Sequence, residues 1–387
     1  MTAHVQNDLI SPAFPDMITF FKTTPRILYL SSTTFSLGVG IGGLFFGPLS
    51  DFIGRKKALM TGFILISNSC LLEACSNSIY YIILLRFLQG IGTAGPMVVC
   101  VAIIFDHYDS KKAGQIVGYK NGVLTFGKSI ASVIGGYLNT TFDWRINFIV
   151  IMCMSLLCLA MVFFFVKESN NKTSEKLEKI NIIEQIRIIF KNFVFLLSDK
   201  LMIGYLISLG SMSCILLTYT ICSSVIFITY LGVEKSTYGY YQASVWISFG
   251  VVSVLSGSIT NYFGLAYSKF IGFTTAILGV ISLNIAAYLV IDPLLITVSM
   301  ILCSGGFGLI INILFTRAMS LHPNLRGASS SMIAFTRTVL LAINVGLSGI
   351  FSNGTIVPLT IIITVLAFIS ILIYVFVIES TNMVHSR

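Results

Sequence analysis

The sequence predicts an all-α membrane protein, and three properties of its composition indicate this fold class. Hydrophobic residues make up 56% of the 387 residues, whereas charged residues make up only 10%. A soluble domain carries roughly 25% charged residues, so this chain lacks the charges that keep a protein of its size in water. The apolar residues form long continuous runs, with a mean hydropathy of +0.91 for the chain. The strands of a membrane β-barrel would instead alternate over segments of about ten residues.

Apolar windows of about 19 residues predict eleven complete membrane spans in this chain. The spans are predicted at residues 27–50, 58–78, 80–105, 114–140, 146–166, 201–231, 237–262, 270–291, 293–316, 328–352 and 355–378. Residues 1–21 have the composition of the tail of one more span, and only seven residues precede Asp8. A chain of this length has room for about twelve spans, so we expect twelve helices with the first one truncated.

An internal repeat divides the spans into two halves. Gly47-x3-Asp51-x2-Gly54 recurs as Gly257-x3-Asn261-x2-Gly264, an offset of 210 residues. Two parallel six-helix halves related by pseudo-two-fold symmetry are typical of transporters, which bind substrate between the halves near the bilayer midplane. The predicted domains are an N-terminal half at 1–166, a basic cytoplasmic linker with an amphipathic helix at 167–200, a C-terminal half at 201–379 and a cytoplasmic tail at 380–387.

The net charge of +9 comes from loops on one side of the predicted bundle. Sixteen lysines and arginines lie in the loops on the side of residues 51–57, and only four lie on the opposite side. Cytoplasmic loops carry an excess of Lys and Arg, so this distribution predicts a cytoplasmic loop 51–57 and a cytoplasmic C-terminus. It also removes the reason to expect a nucleic-acid partner.

Two motifs stand out in the first spans, one in the cytoplasmic loop and one inside the span 80–105. The loop motif reads Gly47-Pro-Leu-Ser-Asp51-Phe-Ile-Gly54-Arg55-Lys56-Lys57, and the second reads Arg86-x2-Gln89-Gly90-x-Gly92. A carboxylate is favoured at a helix N-terminus, so we expect Asp51 near the start of the span that begins around Ala328. We expect Arg55 to pair with Asp106 at the end of its span.

These motifs resemble the signature sequences of the major facilitator superfamily, G-x3-D-x2-G-R-[RK]-x and R-x2-Q-G-x-G. The stretch Asp8-x3-Pro12-Ala13-Phe14-Pro15 resembles the D-x-Y-L-P-A-[LF]-P segment of the bicyclomycin and chloramphenicol resistance (Bcr/CflA) branch, with Ile10 and Ser11 in place of Tyr and Leu.

The resemblance implies a proton-coupled multidrug antiporter in the bacterial inner membrane, a monomer without cofactor that uses the proton gradient. It also implies the roles of several residues. Asp8 and Arg86 would form the proton-coupling pair. The cytoplasmic gate would consist of Gly47, Asp51, Gly54, Arg55 and Asp106.

The fifth span departs from the pattern of proton-driven antiporters, G-x3-G-P-x2-G-G. Here the run is Gly127-x3-Ala131-Ser132-x2-Gly135-Gly136, which keeps the small residues and lacks the proline. The residues predicted to pack helices together are Gly90, Gly92, Gly127, Gly135 and Gly136.

Charges inside the spans identify the predicted substrate cavity, since intramembrane ionisable residues are functional candidates by default. Gln89, Lys128 and Arg337 are expected to line this cavity, where Lys128 would bind an anionic substrate or replace a proton-linked charge. Glu73, near the outer end of its span, is expected to reach water. The eight cysteines fall in apolar segments without zinc-ligand spacing, so no metal site is predicted.

Three functions remain open from the sequence. The first is proton-coupled export of drugs or small amphipathic compounds by alternating access. The second is uptake or exchange of a small metabolite or organic anion, which the cations Arg86, Lys128 and Arg337 favour. The third is an inactive copy truncated at its N-terminus. An enzyme is not expected, because neither H-E-x-x-H nor G-x-S-x-G occurs.

Overall fold

Nearly every residue is helical in the computed structural model, which describes residues 2–108, 110–168, 182–322 and 325–379. These ranges contain no β-strand. The predicted tail 380–387 and residues 169–181 of the predicted linker fall outside them.

The helices follow one another through short loops. In chain order they are α1 Thr2–Ile10, α2 Phe14–Phe20, α3 Pro25–Ile53, α4 Arg55–Cys75, α5 Ile79–His107, α6 Ser110–Thr141, α7 Arg145–Phe165, α8 Ile182–Ser198, α9 Lys200–Ser224, α10 Lys235–Tyr288, α11 Pro293–Leu321, α12 Arg326–Phe351 and α13 Val357–Ile373. A 3₁₀ turn joins α1 to α2, and π-helical turns extend α9 to Tyr230 and α13 to Glu379.

The eleven predicted spans coincide with this succession of helices. Nine of the described helices are long and apolar enough to cross a membrane. One of them, α10, has 54 residues and bends at Gly264, so it holds two predicted spans. A tenth long helix, α6, has 32 residues and carries Lys120 and Lys128. The all-α membrane fold predicted from composition is therefore confirmed.

Local sequence explains where several helices begin. Asp199 accepts a hydrogen bond from the backbone N–H of Leu201 at 2.9 Å, and Asp292 accepts one from that of Leu294 at 2.6 Å. These side chains satisfy backbone donors that the first turn leaves unpaired. Pro25 occupies the first turn of α3, where its missing N–H costs nothing.

The repeat is visible in backbone geometry. Gly54 separates α3 from α4 with φ 99° and ψ 150°, and Gly264 bends α10 with φ 80° and ψ 162°. Residues that carry a Cβ rarely adopt such positive φ values, whereas glycine does so readily. Glu168 accepts a hydrogen bond from the backbone N–H of Lys56 at 3.3 Å, and Glu379 pairs with Lys269 at 3.4 Å. The two glutamates thus contact corresponding parts of the two halves.

Helices pack within each half and along the interface between the halves. In the first half α5 packs against α3 and α4, and α4 packs against α7; in the second half α10 packs against α11, and α9 against α12 and α13. Contacts between the halves run mainly along α3 with α12 and along α6 with α10. We name the two ends of the bundle after their charges. The Arg55 end carries Arg55 and Asp106, and the Asp16 end carries Asp16 and Lys235.

Candidate functional site

A cavity of about 350 Å³ lies between the two halves. This volume lies within the range of about 300–1,000 Å³ typical of small-molecule sites. Its wall combines aromatic, polar and cationic side chains from both halves: Asn7, Phe35, Ser36, Thr125, Lys128, Ser213, Trp246, Phe249, Ser253, Asn312, Phe315 and Arg337, with further apolar residues between them. Lys128 and Arg337 thus line a cavity between the halves, and its use by a substrate stays a prediction.

Asp8 connects the first helix to the opposite half of the protein. It is 3% exposed, and its Oδ1 accepts hydrogen bonds from Trp246 Nε1 at 2.8 Å and from Gln242 Nε2 at 3.2 Å. Ser11 donates a further hydrogen bond to Gln242 at 3.1 Å. The Lys128 ammonium lies 3.8 Å from the centroid of the Trp246 ring and interacts electrostatically with Asp8. These contacts place a carboxylate, a cation and two hydrogen-bond donors beside the cavity.

Arg86 belongs to a separate cluster, which corrects the predicted pairing of Arg86 with Asp8. Its guanidinium donates hydrogen bonds to Asn7 and to Gln89, the latter at 2.7 Å, and lies 4.5 Å from the centroid of the Phe35 ring. Consecutive residues on a helix point about 100° apart, so Asn7 faces Arg86 while Asp8 faces the second half. Gln89 is fully buried in this cluster and does not line the cavity, contrary to the prediction.

Glu73 does not reach water, which corrects a second prediction. Its side chain is 0% exposed, and neither carboxylate oxygen has a hydrogen-bond partner among the described residues. Cys70, one turn earlier on α4, accepts a hydrogen bond from Gln89 at 3.0 Å. Glu73 therefore lies beside the Arg86 cluster, in the interior of the first half.

The loop motif forms an ion-pair network at the Arg55 end. Arg55 bonds to Asp51 at 2.5 Å, to Asp106 at 2.9 Å and to the Ser50 hydroxyl at 2.5 Å. The predicted pair of Arg55 and Asp106 is therefore present. Asp51 lies beyond the membrane-crossing part of α3, Pro25–Gly47; burial raises the pKa of its carboxyl, while Arg55 lowers it. Its predicted position near the start of α12, around Ala328, stays a prediction.

Four of the five predicted packing glycines lie where helices approach closely. A Cβ on Gly90 would clash with the Phe35 carbonyl of α3, and one on Gly92 would lie 2.9 Å from the Gly62 carbonyl of α4. Gly135 packs against α1, and a Cβ on Gly136 would lie 2.6 Å from the Lys235 carbonyl of the second half. Gly127 is buried. Small residues let backbones approach in this way in membrane bundles.

Contacts at the Asp16 end link the two halves. Lys235 pairs with Asp16 at 2.6 Å and donates to the Asn139 carbonyl at 3.3 Å. Tyr29 donates a hydrogen bond to the Cys222 carbonyl at 3.1 Å. Toward the Arg55 end, a second, smaller cavity of about 70 Å³ lies between α3, α5 and α12 and shares Arg337 with the first. The site is thus closed at the Asp16 end and continues toward the Arg55 end.

Sequence reasoning missed Asn7, Gln242 and Trp246. The last two are four residues apart on α10 and so share one helix face, a polar signal inside the predicted span 237–262. Asn7 was harder to find from the sequence. It directly precedes Asp8, and only the rotation of α1 about its axis decides which of the two faces Arg86.

Known proteins resemble the chain in sequence and in fold. The family model described as Major Facilitator Superfamily matches residues 1–345. A bicyclomycin resistance protein homolog of Haemophilus influenzae is 25% identical over 95% of this chain and 91% of its own. The chloramphenicol resistance protein CraA of Acinetobacter baumannii is 24% identical over 86% of this chain and 80% of its own.

Among solved structures, a D-xylose-proton symporter superposes with a TM-score of 0.80 over 97% of this chain and 95% of its own, at 16% identity. The partially occluded inward-open xylose transporter XylE of E. coli gives a TM-score of 0.74 over 97% and 94%, at 14% identity. At these identities the likeness concerns the fold.

Proposed function

Because the chain belongs to the Major Facilitator Superfamily, a family of multi-pass membrane transporters, we propose that it exports drugs or other small amphipathic compounds in exchange for protons. Relatives named for resistance to bicyclomycin and chloramphenicol support the substrate class. The observation that carries the proposal is the position of Asp8. It is a buried carboxylate on one half, hydrogen-bonded to Gln242 of the other half and to Trp246, which lines the cavity.

We infer that the structure is one end state of alternating access. The Asp16 end is closed, and the cavities lie toward the Arg55 end. With the Arg55 end in the cytoplasm, as the distribution of basic residues favours, this state opens inward. The protein then works as a monomer in the bacterial inner membrane, with the proton gradient as its energy source and no cofactor.

The contacts of Asp8 explain how protons and substrate exchange. An ionised Asp8 accepts both hydrogen bonds from α10, and a bond to a charged group is worth about 1.5–3 kcal/mol. These bonds hold the halves together on the Asp16 side, so the empty, deprotonated protein stays in this state. Either a proton on Asp8 or a substrate that displaces Trp246 or Lys128 weakens the link, which allows the opposite opening. Protons and substrate therefore cross in separate steps.

A pH gradient imposed on proteoliposomes tests this function, with radiolabelled chloramphenicol as the probe. The pH gradient is expected to drive chloramphenicol against its own concentration gradient in vesicles that contain the wild-type protein. Asp8→Asn keeps an acceptor oxygen but cannot ionise, so it is expected to abolish this driven transport. Gradient-driven transport by Asp8→Asn at the wild-type rate would contradict the role of Asp8.

A second candidate function is exchange of a small organic anion. The observation that favours it is the charge of the cavity wall, where Lys128 and Arg337 are the ionisable residues that line the described cavity and both are cationic. Trp246, Phe249 and Phe315 supply aromatic surface beside them. Benzoate is a suitable probe, and its binding is expected to fall on Lys128→Ala. Equal benzoate binding by the wild type and Lys128→Ala would exclude this candidate.

A further inference from the structure

Glu73 is a buried acid that the exchange at Asp8 does not use. It is 0% exposed and lies two residues before the end of α4, at the Asp16 end of the bundle. Both of its oxygens are buried without a hydrogen-bond partner among the described residues. An ionised carboxylate without donors in such a place is strongly disfavoured, because nothing replaces its lost hydration. The geometry therefore suits the neutral carboxylic acid.

Two groups that can carry charge face Glu73 from the described residues. Arg86 of α5 interacts with it electrostatically, and so does Cys70 on its own helix. Arg145 of α7 lies beyond the end of α4, where it bonds to the Ser76 carbonyl at 3.3 Å and to Asp143 at 2.7 Å. Arg86 is thus the natural counter-ion of Glu73.

Arg86 is nevertheless held away from Glu73 in this state. Its guanidinium bonds to Asn7 and Gln89 and stacks over Phe35. Within the described part of the chain, Glu73 and Arg86 form no ion pair at 4.0 Å or less. The Arg86 side chain therefore has two alternatives, the amides that it contacts now and the carboxyl group of Glu73.

Asn7 connects the cavity to the partner that Arg86 contacts. Asn7 lines the cavity and accepts a hydrogen bond from Arg86. It also lies next to Asp8, so movement of α1 relative to the second half displaces both residues together. A change at the cavity can in this way release Arg86.

We propose that Glu73 is a second proton-binding group, which holds a proton in this conformation and releases it when Arg86 leaves Asn7 and pairs with Glu73. In that step the O–H bond of the carboxylic acid breaks and the proton passes to water. The carboxylate that remains is paired with the guanidinium, and the reverse step takes a proton up again. This inference rests on the proposed function for the use of the proton in transport.

Infrared spectroscopy of the purified protein tests the protonation of Glu73 without any substrate. The probe is wild-type protein that carries glutamate labelled with ¹³C in the side-chain carboxyl. A neutral glutamic acid is expected to give a carboxylic C=O band, shifted by the label, at neutral pH. Among the glutamates whose side chains are described, Glu168 and Glu234 are exposed and Glu379 is partly exposed, whereas Glu73 is 0% exposed. Absence of a shifted band would overturn the proposal.

Variants assign the band and connect it to transport. E73Q is expected to lose the band, and the control D8N is expected to keep it; a band that survives in E73Q would overturn the assignment. E73D is expected to restore a protonated band of its own. Because the band needs neither substrate nor gradient, it stands or falls independently of proton-coupled drug exchange.

The use of this proton is measured as the pH profile of chloramphenicol exchange. Wild type is expected to show a pH dependence that is shifted in E73Q and recovered in E73D, a pattern that a purely structural role would not produce. Identical profiles for wild type and E73Q would overturn the coupling role. If the wild-type protein moves no chloramphenicol, the proposed function fails and the infrared band alone decides the protonation of Glu73.

Discussion

The hydrogen bond from Trp246 to Asp8 is expected to bias the equilibrium between the two end states. Trp246→Phe removes the Nε1–H donor that lies 2.8 Å from Asp8 and keeps an aromatic ring below Lys128. A hydrogen bond to a charged group contributes about 1.5–3 kcal/mol, and each 1.4 kcal/mol is a factor of about ten. The bond links the two halves in the state that is closed at the Asp16 end. Its loss should therefore favour opening at that end by about tenfold to 150-fold.

Energy transfer between two fluorescent labels measures this shift. Ser78 and Val290 are exposed, belong to different halves and lie at the Asp16 end, so a label on each reports their separation in a background without native cysteines. Trp246→Phe is expected to lower the transfer efficiency relative to the unmutated background.

The chain supplies a matched control in its other tryptophan. Trp144 is also buried, and its Nε1 has no hydrogen-bond partner among the described residues. Trp144→Phe therefore makes the same chemical change without removing a hydrogen bond, and should leave the transfer efficiency unchanged. If Trp246→Phe and Trp144→Phe give the same efficiency, the Asp8 link does not control the conformation.

Two further predictions concern the closed end and the helix packing. Lys235→Ala removes the partly exposed pair with Asp16, worth about 0.2–1 kcal/mol, so the same labels should report up to about fivefold more opening. Lys269→Ala, which removes a pair within the second half, should not, and an equal response of the two variants would refute the interpretation. Gly90→Ala places a methyl group against the Phe35 carbonyl and should cost about 1–3 kcal/mol, seen as a lower thermal unfolding midpoint in detergent. Gly43→Ala, whose Cβ would meet no atom within 4 Å, should not lower the unfolding midpoint. An unchanged midpoint in Gly90→Ala would show that α3 and α5 pack less tightly than the structure indicates.

The fold could be predicted largely from sequence because lipid imposes one dominant constraint. Backbone groups must be satisfied within each span, so an apolar run of sufficient length becomes a helix whatever its neighbours are. The pair of Arg55 and Asp106 was predictable for a related reason. Both residues belong to helix ends on the same side, where loops bring charges together.

The interior contacts depend on helix rotation, which hydropathy does not specify. Asn7 and Asp8 differ by about 100° in direction, and this difference decides which of them meets Arg86. Glu73 is close to the end of α4, a position that suggests water, but Arg86 and its partners cover it from α5. The choice of Trp246 as a donor to Asp8 depends on how the two halves meet, and no local pattern encodes that arrangement.

The central claim is that Asp8 couples proton movement to substrate movement in the opposite direction. The most direct measurement is the proton flux that a chloramphenicol gradient drives in proteoliposomes, followed with a pH-sensitive dye inside the vesicles. Wild type is expected to move protons against the direction of chloramphenicol, and Asp8→Asn is expected to move none. A drug gradient that drives the same proton flux through Asp8→Asn as through wild type would contradict the account.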